Sequence, residues 1–272
     1  FFVFIINYNY SQITASFSVD LSEGCPPLFV TFTNTSSSNA TNFKWDFGNN
    51  KTSVEENPST TYTETGNYTV TLIVDNGSEF DTLQINNLIN VFEKPGSNFE
   101  ETSLTHYCEN DNTIQFTNLS TGATSFFWDF GDGNFSNEIN TIHQFSQAGE
   151  FNVKLKASND YCDSLFSVPI IINPTPSIAA LSQSNFSCDS NSIISFSATS
   201  SNALISNWNW DFGDGTNLNT VNQDIEYTYN QTGTFFPMVR GTTNHNCVDS
   251  FFLESIIFPE IDDYIIQSNS AL

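Results

Sequence analysis

Trp45-Asp46-Phe47-Gly48, Trp128-Asp129-Phe130-Gly131 and Trp210-Asp211-Phe212-Gly213 are one tetrapeptide written three times at near-equal spacing. A tetrapeptide containing tryptophan does not recur at a fixed period by chance, so the chain is an array of three similar units. Each copy continues in the same way. An aromatic follows (Tyr62, Phe145, Tyr229), and a glycine comes soon after it (Gly66, Gly149, Gly233). An alternating stretch comes next: Tyr68, Val70, Leu72 and Val74 in unit 1; Phe151, Val153, Leu155 and Ala157 in unit 2; Phe235, Pro237, Val239 and Gly241 in unit 3. Apolar residues at every second position mark a strand with one face on a core. A second alternating strand lies upstream, at Val30/Phe32, Ile114/Phe116 and Ile194/Phe196.

Gly131-Asp132-Gly133 and Gly213-Asp214-Gly215 follow the tryptophan strands directly. Asp-Gly accepts the left-handed backbone that tight turns need. Unit 1 has Gly48-Asn49-Asn50 there, which can also turn. Pro237 stands where Val153 stands in unit 2, so a bulge or unpaired stretch is expected in unit 3. No segment shows a sustained helical period with caps. The expected fold is all-β, a sandwich per unit. The boundaries are read as 13–94, 95–175 and 176–259, with proline-bearing joints at Pro95, Pro174/Pro176 and Pro259. Three such units in line would form an elongated array on the order of 100 Å long, at roughly 3.3 Å per strand residue. Residues 260–272 read as the start of a further unit or a linker. Residues 1–12 fit either the end of a signal-peptide apolar region or a first edge strand, and the signal remnant is favoured.

Thirty acidic and six basic residues give a net charge of −24. That field repels phosphate backbones and disfavours anionic membrane surfaces, so nucleic-acid binding is not expected. The apolar run Phe1–Ile6 is too short to span a membrane, so no membrane insertion is expected either. Cations are favoured. Only 13% of residues are charged, against roughly a quarter in an average domain. Asn, Ser and Thr must therefore cover the surface, while 27 phenylalanines supply bulk for three small cores.

Cys108 and Cys188 stand at matching distances before the second-strand phenylalanines, and Cys162 and Cys247 each follow a long alternating strand. Recurrence of both positions in two units predicts intra-unit disulfides Cys108–Cys162 and Cys188–Cys247. Buried thiols or a cysteine metal site are the alternatives. Cys25 occupies the first position in unit 1, but Phe80 lies where its partner should be, so Cys25 is expected to be unpaired.

Trp-Asp-Phe-Gly-Asp-Gly, followed by the aromatic, the glycine and the alternating strand, resembles the polycystic kidney disease (PKD) domain family across residues 13–260. The resemblance implies immunoglobulin-like sandwiches that act as extracellular spacers and adhesion modules. Tandem arrays of this style are similar to those of Bacteroidetes surface adhesins and type IX-secreted proteins. Unit 1 departs from the pattern by losing Asp-Gly and the second cysteine.

Trp45, Trp128 and Trp210 could stack on sugars if exposed, but their fixed place before a tight turn fits a core role, as in immunoglobulin sandwiches. Trp208, two positions before Trp210, shares its face. Asp129, Asp132, Asp211 and Asp214 are the candidate calcium ligands, and no other cofactor is expected. The competing role for these carboxylates is to hold turn N–H groups. His106, His143 and His245 fall at different places in the repeat and form no known catalytic motif. The chain thus reads as a non-catalytic, extracellular or cell-surface spacer or adhesion module of a larger protein. Its partners would be neighbouring domains, with a polysaccharide or surface protein as a further candidate. The alternative is an accessory substrate-binding region of a secreted hydrolase.

Overall fold

The structure is a computed structural model that describes residues 12–102, 107–109, 112–185 and 193–258. Among these residues every regular element is a strand. The leading segment 1–11, the tail 259–272, His106 and Cys188 lie outside the described residues.

Unit 1 contributes β1 (Phe17–Val19), β2 (Glu23–Gly24), β3 (Leu28–Asn34), β4 (Asn42–Asp46), β5 (Thr52–Ser53), β6 (Ser59–Tyr62), β7 (Gly66–Asp75) and β8 (Phe80–Val91). They form two sheets, β1-β3-β6 and β2-β8-β7-β4-β5. Unit 2 repeats the plan with β9 (Phe99–Glu101), β10 (Tyr107–Cys108), β11 (Thr113–Asn118), β12 (Ser125–Asp129), β13 (Phe135–Ser136), β14 (Thr141–Gln144), β15 (Gly149–Ser158) and β16 (Asp163–Asn173). Its sheets are β14-β11-β9 and β10-β16-β15-β12-β13. Unit 3 has β17 (Ile178–Asn185), β18 (Ile193–Ser200), β19 (Ile205–Asp211), β20 (Asn217–Thr220), β21 (Asp224–Thr228), β22 (Gly233–Phe235), β23 (Met238–Thr243), β24 (Val248–Phe252) and β25 (Ile256–Phe258).

Each sandwich closes on a core whose centre is the repeated motif. Trp45, Trp128 and Trp210 are fully buried, each packed with Phe47, Phe130 or Phe212 of its own motif and with Phe32, Phe116 or Phe196 from the facing sheet. The tryptophan and the facing phenylalanine meet at 5.5, 5.8 and 5.6 Å between ring centroids in the three units. Alternation in β3, β7, β11 and β15 places the remaining apolar side chains on the same cores, as the period-2 pattern demands.

Pro237 has the effect expected of it. The long strand that is continuous in units 1 and 2 is broken in unit 3, into β22, which pairs with β25, and β23, which pairs with β24. Proline offers no N–H to a ladder, so pairing stops there and resumes beyond it. Trp208 joins the core, 4% exposed. Room for its indole comes from Gly241 directly opposite, where a Cβ would lie 3.2 Å from the Trp208 ring and 2.6 Å from Ile178.

Candidate functional site

The motif turn is built the same way three times. The first aspartate turns its carboxylate back on its own chain: Asp46, Asp129 and Asp211 accept from the N–H groups of Gly48, Gly131 and Gly213, each at 2.9 Å. Those glycines hold φ of 75°, 79° and 77° and lie against the backbone of the neighbouring long strand or, in unit 3, its break. A Cβ on Gly48 would sit 2.5 Å from the Thr69 carbonyl oxygen, and one on Gly213 would sit 2.6 Å from the Phe236 nitrogen. Conformation and space both require glycine there.

The next carboxylate closes the turn. Asp132 accepts from Asn134 N–H at 3.0 Å, and Asp214 accepts from Thr216 N–H at 2.9 Å. Unit 1 keeps this geometry with different residues. Asn49 accepts from Lys51 N–H at 3.2 Å, and Asn50 takes the left-handed conformation at φ 63°.

The carboxylates also reach across to the facing sheet. Asp132 contacts His143 Nε2 at 2.7 Å, and His143 stacks on Phe130 with 3.9 Å between centroids. In unit 3 the same position holds Tyr227, whose hydroxyl donates to Asp214 at 2.7 Å and whose ring stacks on Phe212 at 3.7 Å. His143 is therefore no incidental residue: it fills a recurring position that another residue type fills in unit 3. Burial alone would raise the Asp132 carboxyl, but hydrogen bonds from His143 and Asn134 outweigh it and hold the group below the usual carboxylate range. Asp214 behaves alike, with burial opposed by Tyr227 and Thr216. Burial, and then the bond to Asp214, raise Tyr227 and keep its hydroxyl a donor.

The four carboxylates singled out as calcium candidates are thus occupied by donors of their own turns, and Asp129 also faces Lys154 at 3.7 Å. Among the described residues no three His, Cys, Asp or Glu side chains gather as a metal-binding group.

Sequence reading missed Asn112. Its fully buried side chain accepts from Phe145 N–H at 2.7 Å and donates to the Phe145 and Glu109 carbonyls, each at 2.8 Å. A single asparagine among many gave no sequence signal of that role.

The cysteines correct the expected pairing. Cys25 bonds to Cys162, and Cys108 bonds to Cys247, with Cα–Cα distances of 5.7 and 5.6 Å. Both disulfides cross a joint. Cys25 is not unpaired, Cys108–Cys162 does not form, and Cys247 is taken by Cys108 rather than by Cys188. The reason lies in β16. Cys108 pairs in register with Asn173 at its far end, whereas Cys162 immediately precedes Asp163 at its start. The length of the strand separates those ends by about 33 Å, while a disulfide needs its Cα atoms within about 7 Å. The far end of one unit instead meets the hairpin turn of the next. At the first joint Tyr161 stacks on Phe92 at 3.8 Å, and Asn159 donates to the Glu93 carbonyl at 2.9 Å.

Outside the cores, unit 2 carries an aromatic pair that faces solvent. Phe127 and Phe135 stack at 5.5 Å and 22° on the outer face of the larger unit 2 sheet, 42% and 59% exposed. Lys156, beside Phe127 on β15, pairs with Asp163. An open trough of about 710 Å³ lies on the β17-β18-β21 sheet of unit 3, lined by Leu181, Ser195, Asp224 and Glu226 among others.

Three β-sandwiches on aromatic cores, joined end to turn, define a tandem immunoglobulin-like β protein. The PKD domain sequence pattern matches residues 12–91, 94–164 and 173–251, and the chain belongs to the PKD domain family. Solved structures similar to it include the FN1–FN3 domains of chicken CNTN1 (11% identity over 92% of this chain and 98% of that one, TM-score 0.30). Extracellular domains 3–5 of Drosophila OTK match at 11% identity over 88% and 93%, TM-score 0.36. An I-band fragment of titin matches at 9% identity over 90% and 98%, TM-score 0.36. The family assignment rests on the sequence pattern.

Proposed function

We propose that this chain is a non-catalytic spacer of a larger secreted or cell-surface protein, one that sets the distance and orientation of whatever it joins. The observation that carries this reading is the pair of disulfides, each spent on a joint rather than inside a sandwich. Covalent bonds across joints matter only if the placement of one unit on the next matters. They also suit an oxidising compartment outside the cytosol. The repeated motif supports the same reading, because every copy is used up in a core and a turn.

Small-angle scattering of the intact chain tests it. An elongated array on the order of 100 Å long has a radius of gyration of about 30 Å, whereas a compact globule of this length has about 18 Å. A radius matching the globule would remove the spacer reading. For calcium, the engagement of Asp129, Asp132, Asp211 and Asp214 by their own turns supports an array that is stiff without metal. Titration calorimetry showing calcium uptake with a raised melting temperature would overturn that.

A second reading, accessory binding of a polysaccharide substrate, is favoured by the exposed Phe127–Phe135 stack, since flat aromatic pairs suit sugar rings. Retention of the chain on insoluble polysaccharide, lost in Phe127→Ala, would support it. Equal behaviour of both proteins would discard it.

A further inference from the structure

We propose that the two joint disulfides interlock to make the array a length-limited tether, a property that deepens the spacer reading and rests on it. The closed loops they define, 25–162 and 108–247, overlap through unit 2. Without crosslinks, the covalent path from Cys25 to Cys247 is the whole intervening backbone. With both bonds in place a shorter route exists. It crosses from Cys25 to Cys162, runs backwards along unit 2 to Cys108, and crosses to Cys247. The only backbone on it is the stretch between Cys108 and Cys162.

At about 3.5 Å per extended residue, that route reaches about 190 Å, against about 780 Å for the uncrosslinked segment. The limit is thus about fourfold shorter, and it holds whether or not the sandwiches stay folded. Overlap is what produces it. Either bond alone leaves a longer path, because the route must then follow the backbone from Cys25 to Cys108 or from Cys162 to Cys247. Once the chain is taut, the parts of units 1 and 3 that lie between Cys25 and Cys247 hang in slack loops beside the loaded route, and between those two cysteines only the 108–162 stretch of unit 2 bears the tension. Its segment from 108 to 162 includes β12 and β15, the strands that flank each other at the centre of its larger sheet.

Single-molecule stretching of the full chain, held by its two ends, reads this directly. Oxidised protein is expected to yield about 190 Å of extended length between residues 25 and 247. Cys25→Ser/Cys162→Ser and Cys108→Ser/Cys247→Ser should each yield about 290–300 Å, and the four-serine variant about 780 Å. A variant that fails to fold still reports, because extended length depends on covalent connectivity alone. Two outcomes would overturn the proposal. Oxidised protein reaching about 780 Å would show no crosslink, and about 380 Å would be the length left by intra-unit bonds Cys108–Cys162 and Cys188–Cys247. Neither outcome bears on the scattering test of the spacer reading, which concerns the folded array.

Discussion

At the residue scale, the motif tryptophan sits fully buried at the centre of each core. Trp128 is fully buried, touches Phe99 and Phe116, and donates its indole N–H to the Glu138 carbonyl at 2.9 Å. Trp45 does the same with Glu55. Trp128→Ala is expected to cost about 3–5 kcal/mol in urea unfolding of unit 2, and a loss below about 1 kcal/mol would deny the tryptophan its core role. Trp210 is different. Its indole nitrogen is buried without a partner among the described residues, because the corresponding Thr220 stays in β20 opposite Trp208. The turn carboxylates predict an acid response. Asp132 and Asp214 have folded-state pKa values held below 3.8, so their contribution is complete above the unfolded value. It is lost as pH falls through the lowered one. Units 2 and 3 should therefore weaken below about pH 4, and Asp132→Asn with Asp214→Asn should flatten that slope in melting curves recorded from neutral to strongly acid pH. An unchanged slope would show that other carboxylates set it.

Between elements, the structure relies on a few side chains that satisfy buried backbone. Asn112 holds both the N–H and the C=O of Phe145, in the segment between β14 and β15. Asn112→Ala would leave both groups buried and unpaired, which predicts a loss of about 3 kcal/mol, measurable by denaturation. Gly48 is the corresponding backbone case. Gly48→Ala meets a left-handed φ and the Thr69 carbonyl together, so unit 1 should lose at least about 2 kcal/mol. Much at this scale was legible in the sequence. The Trp-Asp-Phe-Gly spacing led to the sandwich, the alternation to the long strands, and Pro237 to the break between β22 and β23. Unit 1 lacks Asp-Gly, and Asn49 and Asn50 build its turn, as the sequence Gly48-Asn49-Asn50 allows. The His143/Tyr227 position stayed hidden because its role is a stack plus a hydrogen bond to an aspartate, and two different residue types can supply both.

For the whole molecule, connectivity was the feature the sequence could not decide. Five cysteines in two repeating positions pair equally well within units or one unit onward. The first scheme leaves Cys25 over, and the second leaves Cys188 over. Only the three-dimensional fact that the two positions sit at opposite ends of one long strand separates the schemes. Head-to-turn bonding then makes each joint part of a covalent framework rather than a hinge. Peptide mapping by mass spectrometry of the oxidised, non-reduced chain tests this most directly. Disulfide-linked fragments joining Cys25 to Cys162 and Cys108 to Cys247 are the predicted result; a fragment joining Cys108 to Cys162 would contradict it.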